Sequence, residues 1–277
     1  MTVGDALREA QALGVARLDA QQLLAHVTGR PRTWLLAHDD APLAPEDAAR
    51  HAQLLQRRAA GEPFAYLVGE REFHGLMLQV TPAVLVPRPD TETLVDWALS
   101  LLEPPGPLAC LPAPAVLDLG TGSGAIALAL KHRSPRAEVC ALDASTAALS
   151  VAQGNARRLT LDVRFMASDW WSAVPGHSVD LAVSNPPYIA ADDPHLAALG
   201  HEPLAALTPG GNGLAAFDRL IEGAPPHLRP GAWLLLEHGH DQGPAVRQRL
   251  QRAGFAQVDT RLDIEGRERC SGGQWPG

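Results

Sequence analysis

The run Ala115-Val116-Leu117-Asp118-Leu119, followed by Gly120-Thr121-Gly122-Ser123-Gly124 and then Ala125-Ile126-Ala127-Leu128-Ala129-Leu130, leaves this chain few folds to choose from. A short apolar run bounded by glycines reads as a buried strand, and an apolar block free of Gly and Pro reads as a buried helix. Glycines at alternate positions let the backbone take left-handed conformations and approach a ligand closely. A strand turning tightly into a helix is the first half of a parallel β-α-β unit. The turn brings the unpaired N–H groups of the helix start to the strand's carboxyl end, where a nucleotide-like ligand binds.

The alternation continues. Strands are expected over 138–142, 163–166, 179–184 and 232–237, with strand-like stretches near 257–262 and 268–275; helices are expected up to Lys131, up to Leu159, and near 214–222 and 245–253. This order implies a mostly parallel sheet with helices on both faces. From residue 1 to about 60 the apolar spacing is helical instead: Val3, Ala6, Leu7 and Ala10; Ala20, Leu23, Leu24 and Val27; then a segment opened by Pro45-Glu46-Asp47 that stops at Gly61. Between 62 and 90 the period changes, and Phe73, Leu76, Leu78, Val80, Val84, Leu85 and Val86 among scattered Gly and Pro read as a strand or hairpin connector. Pro89-Asp90-Thr91-Glu92 opens a helix, and 104–114 is a Pro-rich loop. The expected organisation is a helical domain over 1–70, a connector over 71–90 and a larger α/β domain over 91–277.

At 277 residues, 46% hydrophobic and 19% charged, the chain can bury one sizeable α/β core and a smaller partner core. No apolar run is long enough to span a bilayer, and a soluble, cytoplasmic protein is expected. Cys110, Cys140 and Cys270 are too few and too scattered for a disulfide framework or a zinc cluster, and His26, His38 and His51 read as surface or packing residues. Twenty-three Lys and Arg against 31 Asp and Glu give a net charge of -8, the wrong sign for a chain that binds by neutralising phosphates. Arg157-Arg158, or Arg247 to Arg252, could supply a local basic patch, but their helical spacing reads as a solvated face.

Chemistry concentrates at three strand ends. Asp143 ends the second strand, about 20 residues after the glycine turn, where a carboxylate can accept from both hydroxyls of a ribose or cap the next helix at Ser145. Gly120, Gly122 and Ala125 also meet a permissive dinucleotide fingerprint. S-adenosylmethionine is favoured because the third glycine comes a residue early, Trp170 after the third strand offers an adenine a flat neighbour, and Asn185-Pro186-Pro187-Tyr188 closes the fourth. The Asn185 amide oxygen and the Pro186 carbonyl are two acceptors, and each could take one hydrogen of a planar NH₂ group while the Tyr188 ring covers the attached π-system. Drawing both hydrogens to acceptors favours a pyramidal nitrogen with a free lone pair, a gain that is largest in the transition state. The structural alternative is a strand ending in a plain Pro-Pro turn.

The Asn-Pro-Pro-Tyr turn resembles the signature of methyltransferases acting on planar amino nitrogens. With Gly61-Glu62-Pro63, Gly69-Glu70-Arg71-Glu72-Phe73, Val86-Pro87-Arg88-Pro89-Asp90-Thr91-Glu92, Ser168-Asp169-Trp170 and the run from Leu234 to Gly239, the chain resembles the release-factor glutamine methyltransferase family along nearly its whole length. The resemblance implies a helical N-terminal substrate-docking domain joined to a class I S-adenosylmethionine-dependent methyltransferase domain with a Rossmann-like, mostly parallel seven-stranded sheet. It implies methylation of the Gln side-chain amide in the Gly-Gly-Gln tripeptide of peptide chain release factors; a monomer is expected, and the net charge argues against direct binding of nucleic acid. It places Gly120, Thr121, Gly122, Ser123, Gly124, Asp143, Trp170 and Asn185 on the cofactor, and Asn185, Pro186, Pro187 and Tyr188 on the substrate glutamine, with Asn185, Pro186 and Tyr188 as the catalytic set. Arg88 to Glu92 would line the same mouth, and Glu237 and His238 would support the sheet end. Two departures stand out: the stretch from Asp193 to Pro203 is short and lacks a basic residue before Glu202-Pro203, and the chain carries its own Gly272-Gly273-Gln274, read as a glycine-rich last strand. Rival readings are an amino methyltransferase for a nucleic-acid base or a ribosomal-protein glutamine, and a non-catalytic translation-factor binder.

Overall fold

In the computed structural model, which describes residues Met1–Gly277, the chain forms two compact units, Met1–Glu70 and Arg71–Gly277. The first holds five helices: α1 (Val3–Ala12), α2 (Arg17–Thr28), α3 (Arg32–Ala37), α4 (Pro45–Ala59) and α5 (Phe64–Val68). Thr2 starts α1 with a reciprocal capping box: its hydroxyl accepts the Asp5 N–H and the Asp5 carboxylate accepts the Thr2 N–H. Leu23, Val27, Leu54, Leu55 and Leu67 form one buried cluster of this unit, and Val3, Ala6, Leu24 and Leu35 a second. His51 is buried within it, 3.3 Å from the Ala20 carbonyl, a packing histidine whose burial lowers its pKa.

The second unit begins with a hairpin, β1 (Glu70–Phe73) and β2 (Leu76–Gln79), and α6 (Glu92–Leu102). Then come β3 (Ala115–Leu119), α7 (Ala125–Arg133), β4 (Glu138–Asp143), α8 (Thr146–Leu159), β5 (Arg164–Ala167), β6 (Val179–Ser184), the short α9 (Leu204–Leu207), α10 (Ala215–Gly223), β7 (Leu228–Glu237), α11 (Gly243–Arg252), β8 (Ala256–Leu262) and β9 (Glu268–Gln274). The seven strands β3 to β9 form one sheet in the order β5-β4-β3-β6-β7-β9-β8, parallel apart from β9, which pairs antiparallel with both neighbours.

Strand alternation builds the two cores. Val116, Val139, Ala141, Leu181, Val183 and Leu235 face α6 and α7, whereas Leu117, Leu119, Cys140, Leu142, Ala182 and Leu234 face α10 and α11. Residues 125–130 of α7 are all buried, which accounts for their apolar character all round. Successive strands run from β3 outward through β4 to β5, and the chain then crosses back to β6 on the other side of β3. The carboxyl ends of β3 and β6 therefore flank a topological switch point, the place where open α/β sheets hold ligands.

Two local expectations change. Residues 64–68 are helical rather than part of an extended connector, with Pro63 before the helix and Gly69 left-handed after it. Val84, Leu85 and Val86 join no sheet, because Pro82, Pro87 and Pro89 cannot donate to a ladder. Gly272-Gly273-Gln274 lies inside β9, with Gln274 Nε2 donating to the Gly231 carbonyl at 3.1 Å, so this tripeptide is a sheet element. A Cβ on Gly272 would collide with Leu235 and with the Leu234 carbonyl, a packing reason for glycine there.

Candidate functional site

The glycine turn after β3 hangs on β4: the N–H groups of Gly120 and Thr121 both donate to the Leu142 carbonyl, at 2.9 and 2.8 Å. Gly120 and Gly122 have φ of +79° and +55°, conformations that glycine takes without strain. At Gly124 a Cβ would lie 3.0 Å from Leu128 Cδ1 and 3.2 Å from Ala152 Cβ, so the third glycine serves the packing of α7 against α8. Asp143, at the tip of β4, accepts the Gly122 N–H on one oxygen (2.9 Å) and the Ser145 N–H on the other (2.8 Å). Ser145 itself caps α8 by accepting from Ala148, so Asp143 is not the helix cap. Each of its oxygens keeps a further lone pair. Trp170 has φ +50°, and its ring stands 3.6 Å from where a Gly120 Cβ would be. The Ser168 hydroxyl steadies this turn by donating to the Trp170 carbonyl (2.7 Å) and accepting from Ala173. Together Gly120, Thr121, Gly122, Ser123, Asp143 and Trp170 line a cleft of about 320 Å³ that also reaches Asn185.

Beneath this cleft lies Asp118, completely buried. Its Oδ2 accepts the Thr121 hydroxyl (2.6 Å) and the Ala127 N–H (3.3 Å), and its Oδ1 has no partner. Burial pushes its pKa up to about 7 against the pull of those donors, and the nearby Asp143 charge adds to the rise. Because the folded value lies above the unfolded one, unfolding releases a proton between the two, and stability falls as pH rises from about 4 to 7. In urea titrations of ligand-free protein, Asp118→Asn should therefore gain roughly 2 kcal/mol on the parent between pH 5 and pH 7. A pH-independent difference would refute the assignment.

Asn185 closes β6 and lines both this cleft and a second of about 440 Å³, whose other lining includes Arg88, Asp90, Tyr188, Ile189, Leu199 and Leu207. Its Nδ2 donates to Thr91 Oγ1 at 3.2 Å, which turns Oδ1 away from Thr91. The Tyr188 hydroxyl points down to Glu237 Oε1 at 3.4 Å, and burial raises its pKa well above the ordinary phenol value, with the Glu237 charge adding to the shift. Glu237 is itself buried. Burial pushes it up to about 7, opposed by the Thr91 hydroxyl and Arg269, and its Oε2 has no hydrogen-bond partner. The backbone of the turn is held from two more sides. Tyr188 and Ile189 donate to the Leu207 carbonyl (3.2 and 2.9 Å), and the Tyr188 carbonyl accepts from Gln242 Nε2 (2.9 Å).

The fold thus gathers Gly120 to Ser123, Asp143, Trp170 and Asn185 around one cleft, and Asn185 and Tyr188 around its neighbour. Gly124 and Pro186 are set behind: Gly124 lines neither cleft, and Pro186 is buried in the strand end without lining either, while Pro187 lines the first. Arg88 and Asp90 reach the mouth, where Asp90 pairs with Arg269 at 3.1 Å. Glu92 does not: it turns to the hairpin and accepts the His74 N–H (3.0 Å). Glu237 and His238 line neither cleft and brace β7 against Tyr188 and Ser271. Thr91 as a partner of Asn185, Gln242 and Gly213 were not singled out from the sequence. Their contacts span long separations, and only the glycine-rich Pro209-Gly210-Gly211-Asn212-Gly213 offered a local signal.

Comparison with known proteins identifies relatives of the whole chain. The model of the PrmC N-terminal domain matches residues 3–69, and that of the methyltransferase small domain matches residues 99–253. A release factor glutamine methyltransferase of Bordetella pertussis is 52% identical over 263 residues, covering 94% of this chain and 95% of its own. The Escherichia coli K12 protein of the same name is 45% identical over 274 residues, covering 98% and 96%. Among solved structures, a Pyrococcus furiosus methyltransferase shares the fold at a TM-score of 0.53 and 20% identity, covering 83% of this chain and 99% of its own. No helix is long and apolar enough to cross a membrane. With identity of this order along nearly the full length of both chains, this protein belongs to the release factor glutamine methyltransferase family, whose cofactor is S-adenosylmethionine.

Proposed function

We propose that this chain methylates the side-chain amide nitrogen (N5) of the glutamine in the Gly-Gly-Gln tripeptide of peptide chain release factors, working as a cytoplasmic monomer. The observation that carries the reading is the double position of Asn185, whose amide is oriented by Thr91 where the two clefts meet. S-adenosylmethionine, when bound in the first cleft, supplies an electrophilic sulfonium methyl group. The turn after β3 fits it: open left-handed glycines to admit a backbone-hugging ligand, a fixed carboxylate at Asp143 for ribose hydroxyls, and Trp170 for the adenine.

The second cleft would take the glutamine. Leu85, Ile189, Leu199 and Leu207 suit its aliphatic stem, and the Tyr188 hydroxyl is tied to Glu237, leaving the ring for the carboxamide face. The Asn185 oxygen accepts one N–H of the target, opposing delocalisation of the nitrogen lone pair; the Pro186 carbonyl, expected from the sequence as the second acceptor, belongs to a residue that lines neither cleft. The surplus proton then leaves to water. Residues 1–70 would dock the body of the release factor, and Leu13, Leu18 and Leu36, each more than 40% exposed, are apolar contacts on this unit. The net charge of -8 favours a protein over a nucleic-acid substrate.

Incubating a purified release factor with this protein and S-adenosylmethionine, followed by mass spectrometry of the tryptic peptide, should show one added methyl on the Gly-Gly-Gln glutamine. An unmodified peptide would refute the reading, and methyl transfer to RNA or DNA in its place would favour the nucleic-acid alternative. Asp143→Ala should weaken cofactor affinity about 10- to 100-fold, the loss expected for charge-assisted hydrogen bonds. Calorimetry showing unchanged affinity would remove Asp143 from the cofactor site.

A further inference from the structure

We propose that Glu202 is a positioning residue that clasps the two walls of the transfer site together and sets how the target glutamine is held. The inference deepens the reading above and rests on it.

Residues 191–201 are mostly exposed, yet Glu202 next to them is only 7% exposed. Its two oxygens are engaged by a different part of the chain: Oε2 accepts the Val86 N–H at 3.0 Å, and Oε1 pairs with the Arg88 guanidinium. Val86 and Arg88 flank Pro87, which has no N–H, so alternate residues of one extended stretch converge on a single carboxylate. That stretch is one wall of both clefts, through Leu85 and Arg88. The segment that Glu202 begins is the facing wall, and Ala206 lines both clefts.

At its other end this segment is fastened to the catalytic turn, because the Leu207 carbonyl accepts from both Tyr188 and Ile189. Residues 202–207 thus form a short bridge, held to the connector at one end and to the Asn185-bearing turn at the other. A carboxylate suits the first joint because it accepts on both oxygens, from a neutral N–H and from a cation. Glutamine keeps one acceptor and presents donors to a donor. Alanine keeps none and leaves the buried Val86 N–H unpaired.

The test compares Glu202→Gln, Glu202→Ala and Arg88→Met with the parent in the full-length protein, with a release factor as methyl acceptor. KM for the release factor should rise about tenfold in Glu202→Ala, the factor for one lost charge-assisted bond, with kcat within about twofold. Glu202→Gln and Arg88→Met should fall in between. Affinity for S-adenosylmethionine by calorimetry should change less than about threefold. Amide hydrogen exchange at Val86 should accelerate in Glu202→Ala while strand amides of β3 and β6 keep their protection.

A purely structural role would instead lower the thermal midpoint and leave KM for the release factor in place, and that result overturns the proposal. Unchanged Val86 exchange overturns it too. If Glu202→Ala does not fold, Glu202→Gln and Arg88→Met decide by the same KM readout. Should the parent fail to methylate the release factor, the functional reading falls, and exchange at Val86 still decides whether the clasp exists.

Discussion

Asn185→Ala is expected to reduce methyl transfer by roughly 10²- to 10³-fold, the loss typical of removing one preorganised group that meets developing charge. The side chain sits where both clefts meet, and its amide is already oriented by Thr91 before any ligand arrives, so little reorganisation is needed at the moment of reaction. Cofactor affinity should stay within several-fold of the parent, because Asp143, Trp170 and the glycine turn are held by Leu142, Ser145 and Ser168 and not by Asn185. Single-turnover methylation and calorimetry on one preparation separate the two effects. A variant with the parent's rate would remove Asn185 from the chemistry, and a variant that lost the cofactor would make it a binding residue. Asn185→Asp is informative beside it, since it keeps an acceptor and loses the donor to Thr91.

Gly213→Ala is expected to be nearly as damaging, although Gly213 lines neither cleft. Its φ of +79° is costly for any residue with a Cβ, and a Cβ there would collide with the Tyr188 carbonyl oxygen and stand 3.1 Å from both the Ala190 nitrogen and Gln242 Nε2. The Tyr188 carbonyl is also the acceptor for Gln242. The backbone of the Asn-Pro-Pro-Tyr turn must therefore move, and a displacement of about 1 Å at a reacting group costs on the order of 10²-fold in rate. Methylation should fall by about that factor while the cofactor still binds, since the glycine turn and Asp143 are held by hydrogen bonds to Leu142, Gly122 and Ser145 and not by this loop. Gly210→Ala, with φ +85° and nothing near its Cβ, is the control for backbone strain alone. If the two variants lose activity equally, strain in the loop and not the collision is responsible.

Much of the α/β unit was legible because its signals are local. The central strands β3, β4, β6 and β7 are apolar over a few residues and bounded by turn residues, and most of the longer helices are long enough to show their period. The glycine turn and Asn185 could be assigned to the same end of the sheet because parallel strands place all their carboxyl ends together. Helix α5 was missed for the opposite reason. At five residues it is too short to display a period, although Pro63 and Gly69 bracket it with ordinary start and stop chemistry. The connector misled in the other direction: Val84, Leu85 and Val86 are β-branched or apolar, but the prolines among them leave no ladder to join, and Val84 and Leu85 line the clefts instead.

By itself, the sequence determined the order of strands and helices, and the residues able to present acceptors, a carboxylate and a flat ring at the strand ends. These follow from backbone conformational limits and hydrophobic periodicity, which act over a few residues. Only the tertiary structure decided which groups orient them. The bond from Asn185 to Thr91 spans 94 residues, the pair of Glu202 with Arg88 spans 114, and that of Gln242 with Tyr188 spans 54. No local pattern encodes such partners, because a donor finds its acceptor only after packing has removed water and left each buried polar atom to be satisfied within the fold.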